Sequence, residues 1–167
     1  MSSGVDFQSG NVSRGRAFRE RCKEILENCG FEFRMEDERF EFGVHVDLVY
    51  DNAQANSFFI QTCGTIEDEP TGTQPGLERA DSVRKIICDA YILQRQTGWP
   101  TLVLTSHVPA RDTVPAKLLN FAGRHVIFDV LSINSERDLE TLRRYSQLDT
   151  KELIDLSNDT DRQILQD

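Results

Sequence analysis

The sequence predicts an α/β fold in which helices flank a mixed central β-sheet. Three observations support this class: two neighbouring runs of alternating apolar residues, two continuous apolar runs farther along the chain, and amphipathic helical periodicity between them. Alternation is typical of strands with one face on a core, and continuous apolar runs are typical of buried parallel strands. A strand, a long helix and a second buried strand together predict a right-handed crossover.

The first third of the chain predicts one helix followed by strands. Ser13 is a suitable N-cap for a helix from about 14 to 28, in which apolar residues repeat at helical spacing and which Gly30 ends. Residues 31–35 alternate as a short strand. The charged residues 36–39 are then predicted to form the turn into the next strand.

Two neighbouring runs predict the centre of the sheet. Every second residue between Phe40 and Tyr50 is apolar, which is the period of a strand with one face on a core. The polar residues 51–56 predict a hairpin connection to a partner strand over 58–63. We therefore expect these two strands to pair with each other.

The second half of the chain predicts alternating helices and strands. A polar, glycine-containing loop over 64–76 precedes a long helix over 77–97, which Gly98 ends. The remaining predicted elements are a buried strand over 101–106, a short helix over 114–122, a buried strand over 125–131 and a helix capped by Ser135.

The chain is predicted to hold one folded domain. Its 167 residues divide into a flexible amino-terminal arm over 1–13, a single domain over 14–147 and an acidic tail over 148–167 that can form a short helix. No run approaches the ~20 apolar residues that a membrane span needs. The four cysteines lack CxxC spacing, which favours a reduced environment. We therefore expect a cytoplasmic protein with no membrane partner.

The charge of the chain disfavours general attraction to nucleic acid. The net charge is −9, so contact with phosphate requires a local basic patch. One basic run stands out, and it lies in the first predicted helix, where it is the predicted nucleic-acid contact. It consists of Arg14, Arg16, Arg19, Arg21 and Lys23.

A polar cluster is predicted where the two central strands pair. Asp47 lies on the polar face of the first strand, and strand alternation predicts that Gln61 and Cys63 lie beside it on the second. A carboxylate and an amide oxygen suit Mg²⁺ or Mn²⁺, because these ions prefer oxygen ligands. We therefore expect Asp47 and Gln61 to hold a metal ion, with Cys63 next to it.

This cluster and the order of elements around it resemble the PD-(D/E)XK, or restriction-endonuclease-like, nuclease superfamily over about residues 14–133. In that family an Asp ends one strand, and the pattern Glu-x-Lys follows on the next. The resemblance gives Asp47 the Asp position, Gln61 the Glu position and Cys63 the Lys position, followed by Gly64. The chain departs from the family pattern because it has Gln-x-Cys in place of Glu-x-Lys.

The resemblance implies a metal-dependent DNA endonuclease of restriction or defence type that acts on duplex DNA. Family members often carry a Glu in the first helix; here Arg19 holds that position, and Glu20, one residue along, joins the catalytic candidates. Because a thiol at Cys63 lacks the charge of the family's Lys, activity is expected to be weakened. The alternative is a catalytically inactive protein of the same fold: a DNA-binding, regulatory or partner subunit, or a homodimer.

Three further kinds of site are less well supported. A zinc site at His45 and Cys63 is disfavoured, because most lone strand histidines are ordinary hydrogen-bonded residues. A cysteine hydrolase that pairs Cys63 with His45 or His107 has no supporting motif. A small-molecule-binding α/β domain lacks the glycine-rich phosphate loop that would indicate it.

Overall fold

The fold is α/β, with helices on both sides of a five-stranded mixed sheet. The computed structural model describes residues 5–66, 76–159 and 164–165, with side chains from residue 15 onward. Its helices and strands are α1 Val5–Asn28, β1 Glu32–Arg39, β2 His45–Asp51, β3 Ser57–Cys63, α2 Ala80–Thr97, β4 Thr101–Thr105, α3 Val114–Ala122, β5 Asp129–Ser132, α4 Glu136–Tyr145 and α5 Thr150–Ser157.

The strands lie in the sheet in the order in which they occur in the chain, β1-β2-β3-β4-β5. The first three pair antiparallel, whereas β3 with β4 and β4 with β5 pair parallel. Because parallel neighbours need a crossover, α2 links β3 to β4 and α3 lies between β4 and β5 in the chain. The predicted mixed sheet and the predicted crossover helix are confirmed.

Each face of the sheet has its own apolar core. On one face α1 packs over the sheet, and we call this layer the α1-side core; it includes Phe18, Cys22, Leu26, Leu48, Ile60 and Leu104. On the other face α2 and α3 cover the strands, and we call this layer the α2-side core; it includes Val46, Phe59, Leu93, Val103 and Leu119. A helix layer on each side explains why β3 and β4 are buried at nearly every position.

Three predicted boundaries in the first third of the chain are wrong. Helix α1 begins at Val5, ahead of the predicted cap at Ser13, because no proline interrupts the segment and low helix propensity alone does not end a helix. Residues 36–39 are not a turn; they complete β1, an exposed edge strand on which charged side chains are usual. The turn lies at Glu41–Gly43, where Phe42 has a φ of 63° and is 81% exposed.

The predicted elements in the second half are confirmed, apart from small shifts at their ends. Gly98 ends α2 in the left-handed conformation, and its N–H donates to the carbonyl of Gln94. Ser135 caps α4 by accepting from the N–H of Asp138. Strand β5 begins at Asp129, four residues later than predicted.

The predicted helix in the acidic tail is confirmed as α5. Asp149 opens it with a capping box: its side chain accepts from the N–H of Glu152, whose carboxylate accepts from the N–H of Asp149. Leu153 is buried in the α1-side core. The described parts of the chain contain no helix long and apolar enough to cross a bilayer. Residues 1–4 of the predicted arm, most of the predicted loop over 64–76, and residues 160–163 and 166–167 of the tail lie outside the described residues.

A buried asparagine ties the β2–β3 hairpin to the end of α4. The amide nitrogen of Asn52 donates to the carbonyls of Tyr145 and Leu148 at 3.2 and 2.8 Å, and its oxygen accepts from the backbone N–H groups of Gln54 and Asn56. One side chain therefore provides hydrogen-bond partners for backbone groups of both the hairpin turn and the segment that leads to α5.

Candidate functional site

Asp47 takes part in the pairing between β2 and β3 through its side chain. The paired residues of the two strands end at Leu48 and Ile60. Beyond them, one carboxylate oxygen of Asp47 accepts hydrogen bonds from the backbone N–H of Thr62 at 2.7 Å and from the Thr62 hydroxyl at 2.8 Å. This carboxylate oxygen thus takes the place of a strand carbonyl as the acceptor for the N–H of Thr62, and Asp47 as a residue is only 9% exposed.

The second carboxylate oxygen of Asp47 faces α1. The guanidinium of Arg19 lies 3.3 Å from it, and the same guanidinium forms an ion pair with Asp37 of β1. The ring of His45 lies between the two acids, with Nδ1 3.8 Å from Asp47 and Nε2 3.2 Å from Asp37. Desolvation acts to raise the pKa of the Asp37 carboxyl, but Arg19 and His45 outweigh it and lower that pKa below its usual value.

Arg19, Asp37 and Asp47 line a cleft of about 630 Å³ between α1 and the strands β1 and β2. Arg16, Arg19 and Glu20 of α1 form one wall, and Asp37, Asp47 and Thr62 lie opposite. Glu20 and Asp47, two of the predicted catalytic residues, therefore share one cleft. Glu20 is largely exposed and lies 3.6 Å from the ammonium group of Lys23.

The predicted convergence of Asp47, Gln61 and Cys63 is wrong. In the sheet, Thr62 pairs with Leu104, which belongs to the α1-side core, whereas Gln61 pairs with Val103, which belongs to the α2-side core. The side chain of Thr62, not that of Gln61, therefore meets Asp47.

The prediction fails because β2 departs from strict alternation at Asp47. Val46 packs in the α2-side core and Leu48 in the α1-side core, although they are two residues apart. The Gln61 amide is used elsewhere: it donates to the carbonyl of His45 at 3.0 Å.

Cys63 packs against the α2-side core and away from the cleft. Burial raises the pKa of its thiol to about 11; the charge of Asp47 adds to the rise, and Arg79 opposes it. The group is therefore a protonated thiol at neutral pH. Neither the zinc site nor the cysteine-hydrolase pairing gains support, since both need a thiolate.

Gly64 directly follows β3, two residues after Thr62, and no side chain fits there. A Cβ built on Gly64 would lie 2.6 Å from the Phe18 ring, 2.6 Å from the Ser106 hydroxyl and 2.7 Å from the Ser106 backbone nitrogen. The Ser106 hydroxyl also accepts from the N–H of Thr65 at 3.1 Å. The residues that follow β3 and β4 thus pack tightly against each other and against Phe18 of α1.

Most of the predicted basic run is paired with acids of the same chain. Arg19 bonds Asp37 and Asp47, Arg21 bonds the neighbouring Glu24, and Lys23 bonds Glu36 and lies over the ring of Phe33. The pKa of Lys23 is raised chiefly by its hydrogen bond to Glu36. Arg16 lines the cleft, and the side chain of Arg14 lies outside the described side chains.

The carboxylates that line the cleft belong to Glu20, Glu36, Asp37 and Asp47. Of these, Asp47 is a predicted metal ligand and Glu20 a predicted catalytic residue, whereas Gln61, the other predicted metal ligand, faces the other side of the sheet. Within residues 5–66, 76–159 and 164–165, no three His, Cys, Asp or Glu side chains are grouped to hold a metal ion. A cation at Asp47 would have to displace Arg19.

Comparison with known proteins found no matching protein family, no matching curated protein and no matching solved structure. The site is therefore interpreted from its own geometry.

Thr62 is the residue whose importance the sequence concealed, and Arg19 was predicted as a nucleic-acid contact and not as the ion-pair partner of Asp47. The alternation over 58–63 puts the side chains of Gln61 and Thr62 on opposite faces of the strand, so only one of the two can face Asp47. Which one does so depends on the irregularity of β2 at Asp47, and residue type gives no signal for that irregularity.

Proposed function

We propose that this chain is a non-catalytic protein of the restriction-endonuclease-like fold that acts by binding a protein partner, as a regulatory or partner subunit. The observation that carries the proposal is the Arg19 guanidinium on Asp47. It places a fixed positive charge of the protein where the resembled family binds a metal ion.

The topology supports the fold assignment. A helix, three antiparallel strands, a crossover helix and a parallel strand follow one another in the order that the resembled superfamily uses. Asp47 lies near the start of β2, beside the carboxyl end of β3, and α1 covers it. The family's Asp ends its strand, whereas Asp47 is the third residue of β2, so the support comes from the topology and not from the place of Asp47 in its strand.

The residues of β3 on the Asp47 side do not support hydrolysis. Phosphodiester cleavage in this family uses a second acid and a Lys, which hold the metal and stabilise developing charge. The resemblance gives those two positions to Gln61 and Cys63, whose side chains face away from Asp47. On the Asp47 side the chain has Thr62 and Gly64, and the packing of Ser106 and Phe18 leaves no room for a side chain at Gly64. The hydroxyl of Thr62 instead satisfies the carboxylate.

The charge distribution favours a protein partner over duplex DNA. Arg19, Arg21 and Lys23 are each neutralised by acids of this chain, and the net charge is −9. Binding to DNA phosphates requires lysine or arginine side chains that are not already paired, because their contact with the phosphates releases the counterions of the DNA. A large exposed aromatic, Phe42, lies at the β1–β2 turn and is typical of an interface anchor.

A second candidate is the metal-dependent endonuclease that the sequence predicts. The observation in its favour is that Glu20 and Asp47 line the same cleft, with Arg19 able to supply the positive charge that Cys63 lacks. In this reading the metal ion, Mg²⁺ or Mn²⁺, would be held by Glu20 and Asp47 after Arg19 moves.

Plasmid cleavage separates the two candidates. We expect the wild-type protein, incubated with supercoiled plasmid and Mg²⁺ or Mn²⁺, to cleave no faster than Asp47→Asn. Cleavage by the wild-type protein that Asp47→Asn and Glu20→Gln both abolish would support the endonuclease instead. Arg21→Gln is the matched control, because Arg21 lies on the same helix and pairs with the exposed Glu24.

Binding is tested in the same preparation. We expect the wild-type protein to bind duplex DNA at low ionic strength no more tightly than an Arg16→Glu variant does, because Arg16 lines the cleft beside Arg19 and is the nearest cation of the basic run to it besides Arg19. If the wild-type protein binds duplex DNA with micromolar affinity and Arg16→Glu loses that binding, the partner is DNA and not a protein.

A further inference from the structure

Helix α3 has the composition of a buried helix, yet one of its sides is exposed. Of its nine residues, Val114–Ala122, only Lys117 and Asn120 are polar. Its inner side, which includes Leu119, packs in the α2-side core. A second apolar stripe, which we call the outer stripe, consists of Val114, Leu118 and Phe121 at the spacing i, i+4 and i+7. A helix that is apolar on both sides is normally covered on both sides.

The outer stripe has little cover in the part of the chain that the structure describes. Phe121 is 90% exposed and Val114 is 54% exposed, whereas Leu118 is partly buried. Lys117 lies on the same side, one turn before Phe121, because residues four apart share a helix face. It is exposed and forms no ion pair with a described residue. The outer stripe therefore combines apolar surface with one free positive charge.

A second exposed aromatic lies at the β1–β2 turn. Phe42 is 81% exposed and has φ 63° and ψ 17°, a region that bulky residues rarely adopt. Glycine or asparagine would adopt it more easily, so the stability of the turn does not explain an aromatic there. The neighbouring Glu41 is exposed, and within the described residues it has no ion-pair partner. The turn therefore combines an aromatic ring with one free negative charge.

The turn and the outer stripe complement each other but lie at opposite edges of the sheet. Strand β1 forms one edge. Helix α3 lies over β4 and β5 at the other edge, where Leu119 belongs to the same apolar cluster as Val103 and Val130. The two surfaces cannot meet within one molecule, so their complementary charges favour a contact between two copies.

We propose that the outer stripe is covered by the β1–β2 turn of a second copy of this chain, with Phe42 on Phe121 and Val114, and Glu41 beside Lys117. Because the contact joins two different surfaces, each copy leaves one surface free to bind a further copy. The inference goes beyond the function proposed for the Asp47 cleft and does not depend on it. A protein that stays monomeric would overturn this inference and would leave the plasmid test of that cleft unaffected.

Sedimentation equilibrium over about 10–500 µM covers the range of weak protein contacts. We expect the average mass of the wild-type protein to rise with concentration beyond that of a dimer. Phe42→Asn suits the turn, and Phe121→Gln lies on the exposed side of α3, so both variants should fold. Each should associate at least about tenfold more weakly, because an aromatic anchor is lost.

An equimolar mixture of these two variants identifies the kind of contact. Phe121→Gln keeps the turn and Phe42→Asn keeps the outer stripe, so the mixture should form dimers with wild-type affinity and nothing larger. A mixture that associates as weakly as its components would overturn the proposal, as would a wild-type protein that stays monomeric. Ile154→Gln is the matched control, because Ile154 is 54% exposed on α5 outside both surfaces. It should leave association unchanged.

A charge exchange tests the contact between Glu41 and Lys117. Lys117→Glu should weaken association at low salt about twofold to fivefold, the range for an exposed ion pair. Adding Glu41→Lys to the same chain should restore the affinity, because the pair is then reversed and not lost. A double variant that associates no better than Lys117→Glu would contradict the placement of these two residues opposite each other.

Discussion

The guanidinium of Arg19 lies 3.3 Å from Asp47, so a cation of the first helix neutralises the one acid at the centre of the candidate site. Both side chains are mostly buried, at 23% and 12% exposed. The pair therefore has a structural role that can be measured independently of any activity.

Arg19→Ala should destabilise the protein by about 1–2 kcal/mol, between the values for exposed and fully buried ion pairs, because it leaves Asp47 with Thr62 as its main partner. Urea denaturation followed by circular dichroism measures the change. Arg21→Ala is the control: its pair with Glu24 is exposed, so its effect should stay below about 0.5 kcal/mol. Equal effects of the two substitutions would show that the contact between Arg19 and Asp47 is not stabilising.

Gly64→Ala should destabilise the protein by about 1–3 kcal/mol, the usual range for overpacking. The added methyl group meets the backbone of Ser106, which cannot move without disturbing β4. Gly15→Ala is the matched control, since it lies in α1 with nothing within 4 Å of the added atom. That control should stabilise α1 by about 0.5–1 kcal/mol. A neutral Gly64→Ala would mean that the contact between β3 and β4 is looser than described.

Asn52→Asp should destabilise the protein by about 3 kcal/mol at pH 7, because it removes two donors and places a carboxylate beside two carbonyls. Burial raises the pKa of the new acid in the folded protein, so the penalty is fully present above that pKa. It should shrink as the pH falls through the folded-state pKa and level off below about 3, where the acid is protonated in both states. Gln54→Glu, at an exposed position of the same turn, should show neither effect. A destabilisation independent of pH would exclude the charge as its cause.

Alkylation by iodoacetamide at pH 8 should modify Cys88 well before Cys63. Cys88 is exposed on α2, whereas burial and the charge of Asp47 raise the pKa of Cys63 to about 11. Only about one Cys63 thiol in a thousand is ionised at pH 8 on that value. Peptide mass spectrometry after timed quenching gives the order. Fast modification of Cys63 would indicate a thiolate, and would reopen the active-site role that the sequence suggests.

The sequence predicts the sheet well, because its signals are local. The continuous apolar run at β4, Gly98 at the end of α2 and the Ser135 cap each determine an element by residue type alone. The boundaries around β1 were harder to predict, because charged residues suit an edge strand as well as a turn.

The candidate site was predicted only in part, because it depends on a tertiary detail. The sequence places Asp47 and Glu20 near one another, and the cleft contains both. The sequence wrongly predicts that Gln61 and Cys63 lie beside Asp47. Strand alternation holds only while the backbone is regular, and in β2 the residues before and after Asp47 pack in opposite cores. Cys63→Lys would therefore put a charge into the α2-side core and would not restore a catalytic lysine.

The hydrogen bonds of Asn52 also bear on the order in which the protein folds. Its two carbonyl partners, Tyr145 and Leu148, follow it by 93 and 96 residues. During synthesis the β2–β3 hairpin therefore leaves the ribosome long before the groups that complete it. Closing so long a loop slows folding, because the entropy of the chain is lost before the contact is gained. Until residue 148 arrives, the amide of Asn52 must remain hydrated, and the hairpin is open to nonnative pairing.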